Sequence, residues 1–416
     1  MAVMLKMETK STQTLVVIGG GAAGFFCAVN AARMNPLLKV ILLEKSSKLL
    51  SKVKVSGGGR CNVTHACFDI RDMVSKYPRG GNFLKKAFHH FFTTDTIEWF
   101  RQRGVALKTE ADGRMFPTTD DSQTIIDCLM KEANQYKIDI RLNSEVSSIV
   151  RNNSCWELKI HDKLLVADMV CVAAGGYPKS TMFNWLQQTG HTIEMPRPSL
   201  FTFNIPNNTI TQLMGVAVEK AQVKIAGTKL VNEGPLLITH WGLSGPAILK
   251  LSAYGARQLA EADYHFTALV NWSNEYTEQS LRDHWQQLRL QLATTKMANK
   301  NPFKLAQRLW EHLLTTSGVN PEIRWAELPA KAQNLLIKNI TAQAFDVKGK
   351  TTFKEEFVTA GGIVLAEIDS QTMQSKIAPG LFFAGEVIDV DGITGGFNFQ
   401  NAWTTGWIAA KAIATN

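Results

Sequence analysis

The stretch from Leu15 to Gly24, LVVIGGGAAG, restricts the fold more than any other part of the chain. Its first four residues read as a short buried strand, and Ala22 to Met34 reads as an Ala-rich helix stopped by Asn35-Pro36. Val40 to Leu43 then reads as a second buried strand that ends at Glu44. Strand, helix and strand in this order make a βαβ unit, so the fold class is α/β with a parallel sheet. The glycines fit G-x-G-x-x-G at Gly19, Gly21 and Gly24. Gly19 permits the tight turn, Gly21 lacks the Cβ that would block a pyrophosphate, and Gly24 lets helix and strand pack closely. The helix start at Ala22 and Ala23 offers free N–H groups and partial positive charge to phosphates. Glu44 lies 20 residues after Gly24. A carboxylate there accepts the hydroxyls of an adenosine ribose and repels a 2′-phosphate, which points to a dinucleotide other than NADP.

Two further glycine-rich segments carry the same kind of signal. Ser56, Gly57, Gly58, Gly59, Arg60, Cys61 and Asn62 form one of them. Three adjacent glycines fit close backbone approach to a ligand, with Arg60 and Asn62 as polar contacts. The other runs from Gly380 through Gly385 and Glu386 to Asp389, Gly395, Gly396, Phe397 and Asn398. It reads as a strand, a glycine loop and a closing helix from Asn398 to Ala414. Glu386 suits the hydroxyls of a ribityl chain. The start of the closing helix suits the pyrimidine edge of a flavin, where its dipole stabilises the negative charge gained on reduction. A buried strand at Met169 to Ala173 leads into Ala174, Gly175 and Gly176, which join these cofactor-side candidates.

Composition removes several alternatives. The chain has 416 residues, 45% hydrophobic and 19% charged, which excludes a disordered chain and suggests two or three domains. No apolar run reaches the ~18 residues of a membrane span. The N-terminus lacks the apolar core and cleavage site of a signal peptide, so a cytoplasmic protein is expected. Six cysteines without CxxC spacing read as buried reduced thiols, and no His, Cys and Asp cluster has metal-ligand spacing. The net charge is +9, with nine Lys or Arg against two Asp or Glu in residues 1–60. Those basic residues, Lys45 and Lys52 among them, surround the glycines and fit one bound anion. No basic block carries interleaved aromatics, so nucleic acid is not favoured as a partner.

The texture changes after Gly190, where prolines punctuate strand-like runs that extend to about Tyr254. From Glu278 the pattern turns helical, with Leu281, Trp285, Leu288 and Leu292 in one stripe and Leu305, Leu309 and Leu313 in the next. A third helix starts at Pro329. Ser122 is the expected cap of a helix through Ile125, Ile126, Leu129 and Ala133. The reading is therefore a cofactor domain at 1–190, a β-rich insert at 191–272, a helical insert at 273–350 and the rest of the cofactor domain at 351–416. The chain crosses between them near 191–198 and 347–356.

Taken together, these segments resemble the HI0933-like (YhiN/BaiN-like) family of NAD(P)/FAD-dependent flavoprotein oxidoreductases. The matching stretches are VVIGGGAAG from Val16, SGGGRCNVT at 56–64, GRMFP at 113–117, AAGG at 173–176, THWGLSGPAIL at 239–249, VTAGGI at 358–363 and GLFFAGEVIDVDGITGGFNFQNAW at 380–403. The resemblance implies a two-dinucleotide-binding, Rossmann-like FAD domain interrupted by a barrel-like and a helical insert. It also implies non-covalent FAD held at Gly21, Glu44, Arg60, Val146, Gly385 and Asn398. Glu386 departs from the Asp of the broader FAD superfamily, and Asn401 stands where an aromatic or Gln-like neighbour is expected. The expected activity is an FAD-dependent oxidoreductase acting on a small molecule. Only one glycine unit has its acid, so NAD(P)H, as a transient donor, docks without a domain of its own. His240, in the 239–246 segment, is the catalytic candidate because imidazole exchanges protons near neutral pH. Lys376 is a weaker candidate, Asp389 and Asp391 read as loop-organising, and Trp241, Phe397 and Phe399 are candidates to flank the flavin. A flavin-dependent RNA-modifying enzyme, a substrate-fed amine oxidase-like enzyme and a non-catalytic flavin protein remain the alternatives. The insert is expected to cap the flavin and set the substrate.

Overall fold

The computed structural model describes residues 12–351 and 358–416. The N-terminal leader reading and part of the 347–356 crossing lie outside these residues. The described residues divide into two compact units, 12–197 with 358–416, and 198–351.

The first unit is built on a five-stranded sheet in the order Leu381–Phe383, Met169–Val172, Thr14–Ile18, Lys39–Leu43, Asp139–Arg141. Every neighbouring pair is parallel, with Val17 opposite both Leu42 and Cys171. Helix Ala22–Met34 follows the first strand, and its residues Ala23 to Ala32 are all buried. It packs against the C-terminal helix Phe397–Thr415. Gly406 permits that crossing, because a Cβ there would stand 2.8 Å from the Ala23 carbonyl oxygen. Both helices are apolar on most sides because each is enclosed by the sheet and by the other. A three-stranded meander (Val146–Asn152, Cys155–Ile160, Lys163–Ala167) and a smaller sheet (Thr64–His65, Arg114–Pro117, Leu107–Thr109) also belong to the unit.

Strands of the second unit form one seven-stranded antiparallel sheet, from Gln343–Lys348 at one edge to Lys350–Thr351 at the other. Helices Glu278–Gln291, Gln307–Thr316 and Ala330–Ala342 intervene between its strands His265–Asn271 and Gln343–Lys348. They share one core with the sheet, in which Trp285, Trp310 and Trp325 are fully buried.

Several local expectations need correction. Ser122 precedes helix Gln123–Gln135 but makes no capping bond; its hydroxyl donates to the Lys54 carbonyl, 2.8 Å away. Asp121 takes the cap role instead, accepting from the Gln123 N–H at 2.8 Å. The strand-like texture does not continue to Tyr254; Pro246–Tyr254 is a helix with Pro246 as its first residue, the helix start that this proline signals in the sequence. Leu305 lies outside the helix that begins at Gln307.

His191 is a buried titratable group of the first unit. Its Nδ1 lies 2.7 Å from Thr189 Oγ1 and its Nε2 2.7 Å from Ser375 Oγ. Thr189 already donates to the Leu186 carbonyl, so it accepts from Nδ1–H. Ser375 accepts from the N–H groups of Ile377 and Ala378, so its own proton goes to Nε2. The imidazole is thus held neutral, and burial pushes its pKa down. In acid the unfolded chain takes up a proton that the folded ring resists, so this contribution to stability begins to decline as pH falls below about 6.5 and is lost as pH passes the lowered value of the folded ring. The melting temperature of His191→Asn is expected to fall less steeply than wild type between about pH 7 and about pH 5.5.

Candidate cofactor site

The first glycine of the loop, Gly19, has φ +116°, and a Cβ on it would lie 2.3 Å from the Ala173 carbonyl oxygen. A Cβ on Gly24 would lie 1.9 Å from the Gly19 carbonyl oxygen. Both glycines are therefore demanded by backbone packing. Gly21 is different: φ −94° and ψ −170° suit any residue, and nothing lies within 4 Å of its missing Cβ. The space in front of it is bounded by the N–H groups that open helix Ala22–Met34, which have no intrahelical acceptor. Gly175, across the loop, also faces open space.

Beside this loop lies a cavity of about 410 Å³, lined in part by Gly19, Glu44, Lys45, Val146 and Ala174. Its size falls in the roughly 300–1,000 Å³ range of small-molecule sites. The structure thus gathers five sequence candidates from four segments around one hollow. Glu44 is fixed in it: Oε2 accepts from the Gly20 N–H at 2.9 Å, and Oε1 accepts from Ser46 N–H and Oγ at 2.8 Å each. Tyr177 and Trp185 also line the hollow, and Lys45 Nζ sits 5.5 Å from the Tyr177 ring centre. Neither aromatic was flagged by a motif; the position of Tyr177 immediately after Gly176 is the one clue the sequence held.

The distant C-terminal motif reaches the same loop. A Cβ on Gly385 would stand 2.8 Å from Ala23 Cβ, and one on Gly176 would stand 2.7 Å from Glu386 Oε1. Glu386 Oε1 accepts from the Thr359 N–H at 2.8 Å, and Oε2 pairs with Lys52 Nζ at 2.7 Å. Lys52 belongs to helix Ser51–Gly59, whose start is tied to the loop by a Leu50 N–H to Gly20 carbonyl bond of 2.8 Å.

That helix breaks at Ser56, with ψ 148°, and Gly57, Gly58 and Gly59 follow at φ +59°, +70° and +86°. Gly58 and Gly59 face open space, whereas a Cβ on Gly57 would meet the Phe116 ring at 2.7 Å. Arg60 turns toward the neighbouring hairpin: Nη1 lies 2.6 Å from Glu110 Oε1 and 3.5 Å from Asp120 Oδ1, and the guanidinium stacks 4.0 Å from the Phe116 ring centre. Cys61 is fully buried, and burial pushes its thiol up to about 12. Its side chain is thus packed in the core and kept as the unreactive thiol.

At the start of the C-terminal helix, the neighbouring groups assign the Asn62 amide: its nitrogen donates to the Thr64 carbonyl and its oxygen accepts from the Gly396 N–H, 3.0 Å each. Asn398 latches its own loop, accepting from the Gly392 N–H at 2.8 Å and donating to the Gly392 carbonyl at 2.9 Å. Phe397 is buried, and Tyr77 donates to its carbonyl at 2.7 Å. Phe399 stacks on Trp403. Asn401 is buried, and its Oδ1 has no hydrogen-bond partner among the described residues. Asp389 donates its N–H to the Ile363 carbonyl at 3.0 Å. Asp391 is fully buried against Arg79, a residue no motif singled out.

Of the substrate-side candidates, His240 and Trp241 belong to the second unit and Lys376 to the first. His240 and Trp241 are the two-residue turn of a hairpin in the second unit, with Thr239 opposite Gly242. His240 is exposed and stands edge-on to Trp241 at 4.3 Å, while the Trp241 N–H donates to Thr202 Oγ1 at 3.0 Å. Lys376 donates to the Ala366 carbonyl at 2.9 Å, which accounts for it structurally. Among the described residues no helix is long and apolar enough to cross a membrane.

Residues 13–412 match the HI0933-like protein Rossmann domain. A ribosomal RNA dihydrouridine synthase of Escherichia coli K12 is 30% identical over 412 residues, covering 95% of this chain and 96% of its own. A 3-dehydro-bile acid delta(4,6)-reductase of Clostridium scindens is 25% identical over 409 residues, covering 96% and 98%. The fold is shared with the 3-ketosteroid delta1-dehydrogenase of Sterolibacterium denitrificans, at TM-score 0.52 and 13% identity, covering 97% of this chain and all of that one. A Rossmann-type glycine loop, an acid at the second strand and a family match across nearly the whole length agree: the chain belongs to the HI0933-like family and is an FAD-dependent oxidoreductase.

Proposed function

We propose that this protein reduces a carbon–carbon double bond conjugated to a carbonyl. One observation carries the reading: two relatives with different substrates, each aligned over at least 95% of this chain, are named for the same kind of bond. Dihydrouridine is uridine with the ring double bond beside its C4 carbonyl saturated, and a 3-dehydro delta(4,6) bile acid is a dienone. FAD, once reduced by an electron donor, would supply the hydride that such a conjugated bond accepts at its electrophilic carbon, and a proton completes the reduction at the neighbouring carbon.

The chain's own residues bind and orient in this reading. The hollow beside Glu44 takes the adenosine, and the N–H groups at Gly21, Ala22 and Ala23 take the diphosphate. Glu386 and Lys52 lie next along the cofactor. The opening of the C-terminal helix, at Gly395, Gly396 and Asn398, takes the flavin's pyrimidine edge. A proton for the α-carbon is assigned to His240. His240→Ala is expected to keep its FAD and lose about 10²-fold in turnover, the low end for a lost general acid. Unchanged turnover would remove His240 from the chemistry.

The test is anaerobic. Enzyme reduced with dithionite is mixed with a 3-oxo-Δ4 steroid, with uridine-containing ribosomal RNA, or with a simple enone, and the return of oxidised-flavin absorbance is followed. Reoxidation by at least one of them supports the reading; no reoxidation by any overturns it. Response to RNA alone would make RNA the substrate within this reading, and salt-sensitive binding would accompany it. The donor is identified separately by titrating the oxidised enzyme with NADH and NADPH, where bleaching marks a pyridine-nucleotide donor.

A further inference from the structure

We infer that His65 is a positioning residue for the flavin: by holding the Gly395 carbonyl it fixes the peptide that caps the C-terminal helix, and so sets the cofactor's reduction potential. The inference rests on the placement of the flavin's pyrimidine edge at that helix.

The peptide between Gly395 and Gly396 is gripped at both ends. His65 Nδ1 lies 3.0 Å from the Gly395 carbonyl oxygen. A carbonyl only accepts, so Nδ1 carries the proton and the tautomer is decided. The N–H of the same peptide donates to Asn62 at 3.0 Å. Both grips come from one four-residue stretch, 62–65, anchored by pairing of Thr64 with Met115 and His65 with Arg114. The fit is close: a Cβ on Gly396, at φ +93°, would lie 2.6 Å from the Thr64 carbonyl oxygen. The His65 ring also stacks on Phe397, the first residue of the helix, with centroids 4.7 Å apart.

This peptide is where the helix dipole begins. The first N–H groups of a helix have no acceptor within it and carry its partial positive charge. Rotating the capping peptide would break its bonds to His65 and Asn62 together and let the start of the helix, with its free N–H groups, turn away. Two glycines with positive φ have little intrinsic preference against such a rotation. His65 and Asn62 supply the preference, so the grip fixes the start of the helix, and with it the direction in which the following N–H groups, at Phe397 and Asn398, present their positive charge to a ring that gains negative charge on reduction.

The experiment compares FAD-loaded wild type, His65→Leu, His65→Asn and Asn398→Ala by dye-equilibrated potential, with melting of each apoprotein alongside. His65→Leu is expected to lower the equilibrium constant for two-electron reduction about tenfold, which is about 30 mV. His65→Asn keeps an N–H donor and is expected to restore the wild-type potential. A role in packing alone would lower the melting temperature of both His65 variants and leave the potential in place, which overturns the inference. If His65→Leu leaves the potential unmoved while Asn398→Ala shifts it, the inference falls and the flavin placement stands. If neither moves it, the placement falls and the inference with it. Should His65→Leu not fold, Asn62→Ala frees the other end of the same peptide and carries the same expected sign.

Discussion

Gly21→Val is expected to give a folded protein that purifies without flavin. The two halves of that result have separate causes. Gly21 has an extended backbone at φ −94° and ψ −170° that valine adopts readily, and nothing lies within 4 Å of the new Cβ. The apoprotein therefore has no clash to relieve. The isopropyl group instead fills the space through which phosphates reach the N–H groups of helix Ala22–Met34. Losing that approach should weaken FAD binding at least about 100-fold, or about 2.7 kcal/mol. Gly24→Val makes the contrast, because its Cβ would lie 1.9 Å from a backbone oxygen and the βαβ unit itself should fail. The measurement is the ratio of flavin to protein absorbance after purification, with the melting temperature of the stripped proteins. A folded Gly21→Val that still carries stoichiometric FAD would overturn the phosphate assignment.

The contrast among these glycines shows what the sequence could convey. The βαβ unit was legible because its signals are local: a β-branched run, an Ala-rich stretch and an Asn-Pro stop. The helix spans Ala22–Met34, as the pattern predicts. Roles that depend on distant partners were not legible. Arg60 looks like a ligand-facing cation beside three glycines, yet Glu110, fifty residues away, and the Phe116 ring hold it. Ser122 looks like a cap, but the Lys54 carbonyl is within reach and takes its proton. Tyr177 and Trp185 enter the hollow because helix and strand geometry bring them there, with no spacing to announce it. His65 reads as one more residue after a glycine motif until the Gly395 carbonyl is placed beside it.

Arg79→Met is expected to cost about 3–5 kcal/mol of stability, the usual effect of stranding a buried charge. Arg79 is only 9% exposed and Asp391 not at all, and the guanidinium grips both carboxylate oxygens through Nε and Nη2. The pair ties residues 76–81 to the loop that leads into the C-terminal helix. The Ile393 N–H to Lys76 carbonyl bond, 2.9 Å, and the Tyr77 hydroxyl to Phe397 carbonyl bond, 2.7 Å, are parts of the same seam. With the cation gone, the buried Asp391 carboxylate loses the guanidinium that grips both of its oxygens, and that loss destabilises the loop. Arg79→Met combined with Asp391→Leu removes the charge problem at both ends, so it should recover most of the lost stability. Urea unfolding of the two single variants and the double variant measures this coupling directly. Equal destabilisation in single and double variants would mean that packing, and not the ion pair, holds the seam. Flavin content separates a further effect. The double variant regains charge balance but not the bidentate geometry that orients the loop, so its FAD retention should stay below wild type even where its stability returns.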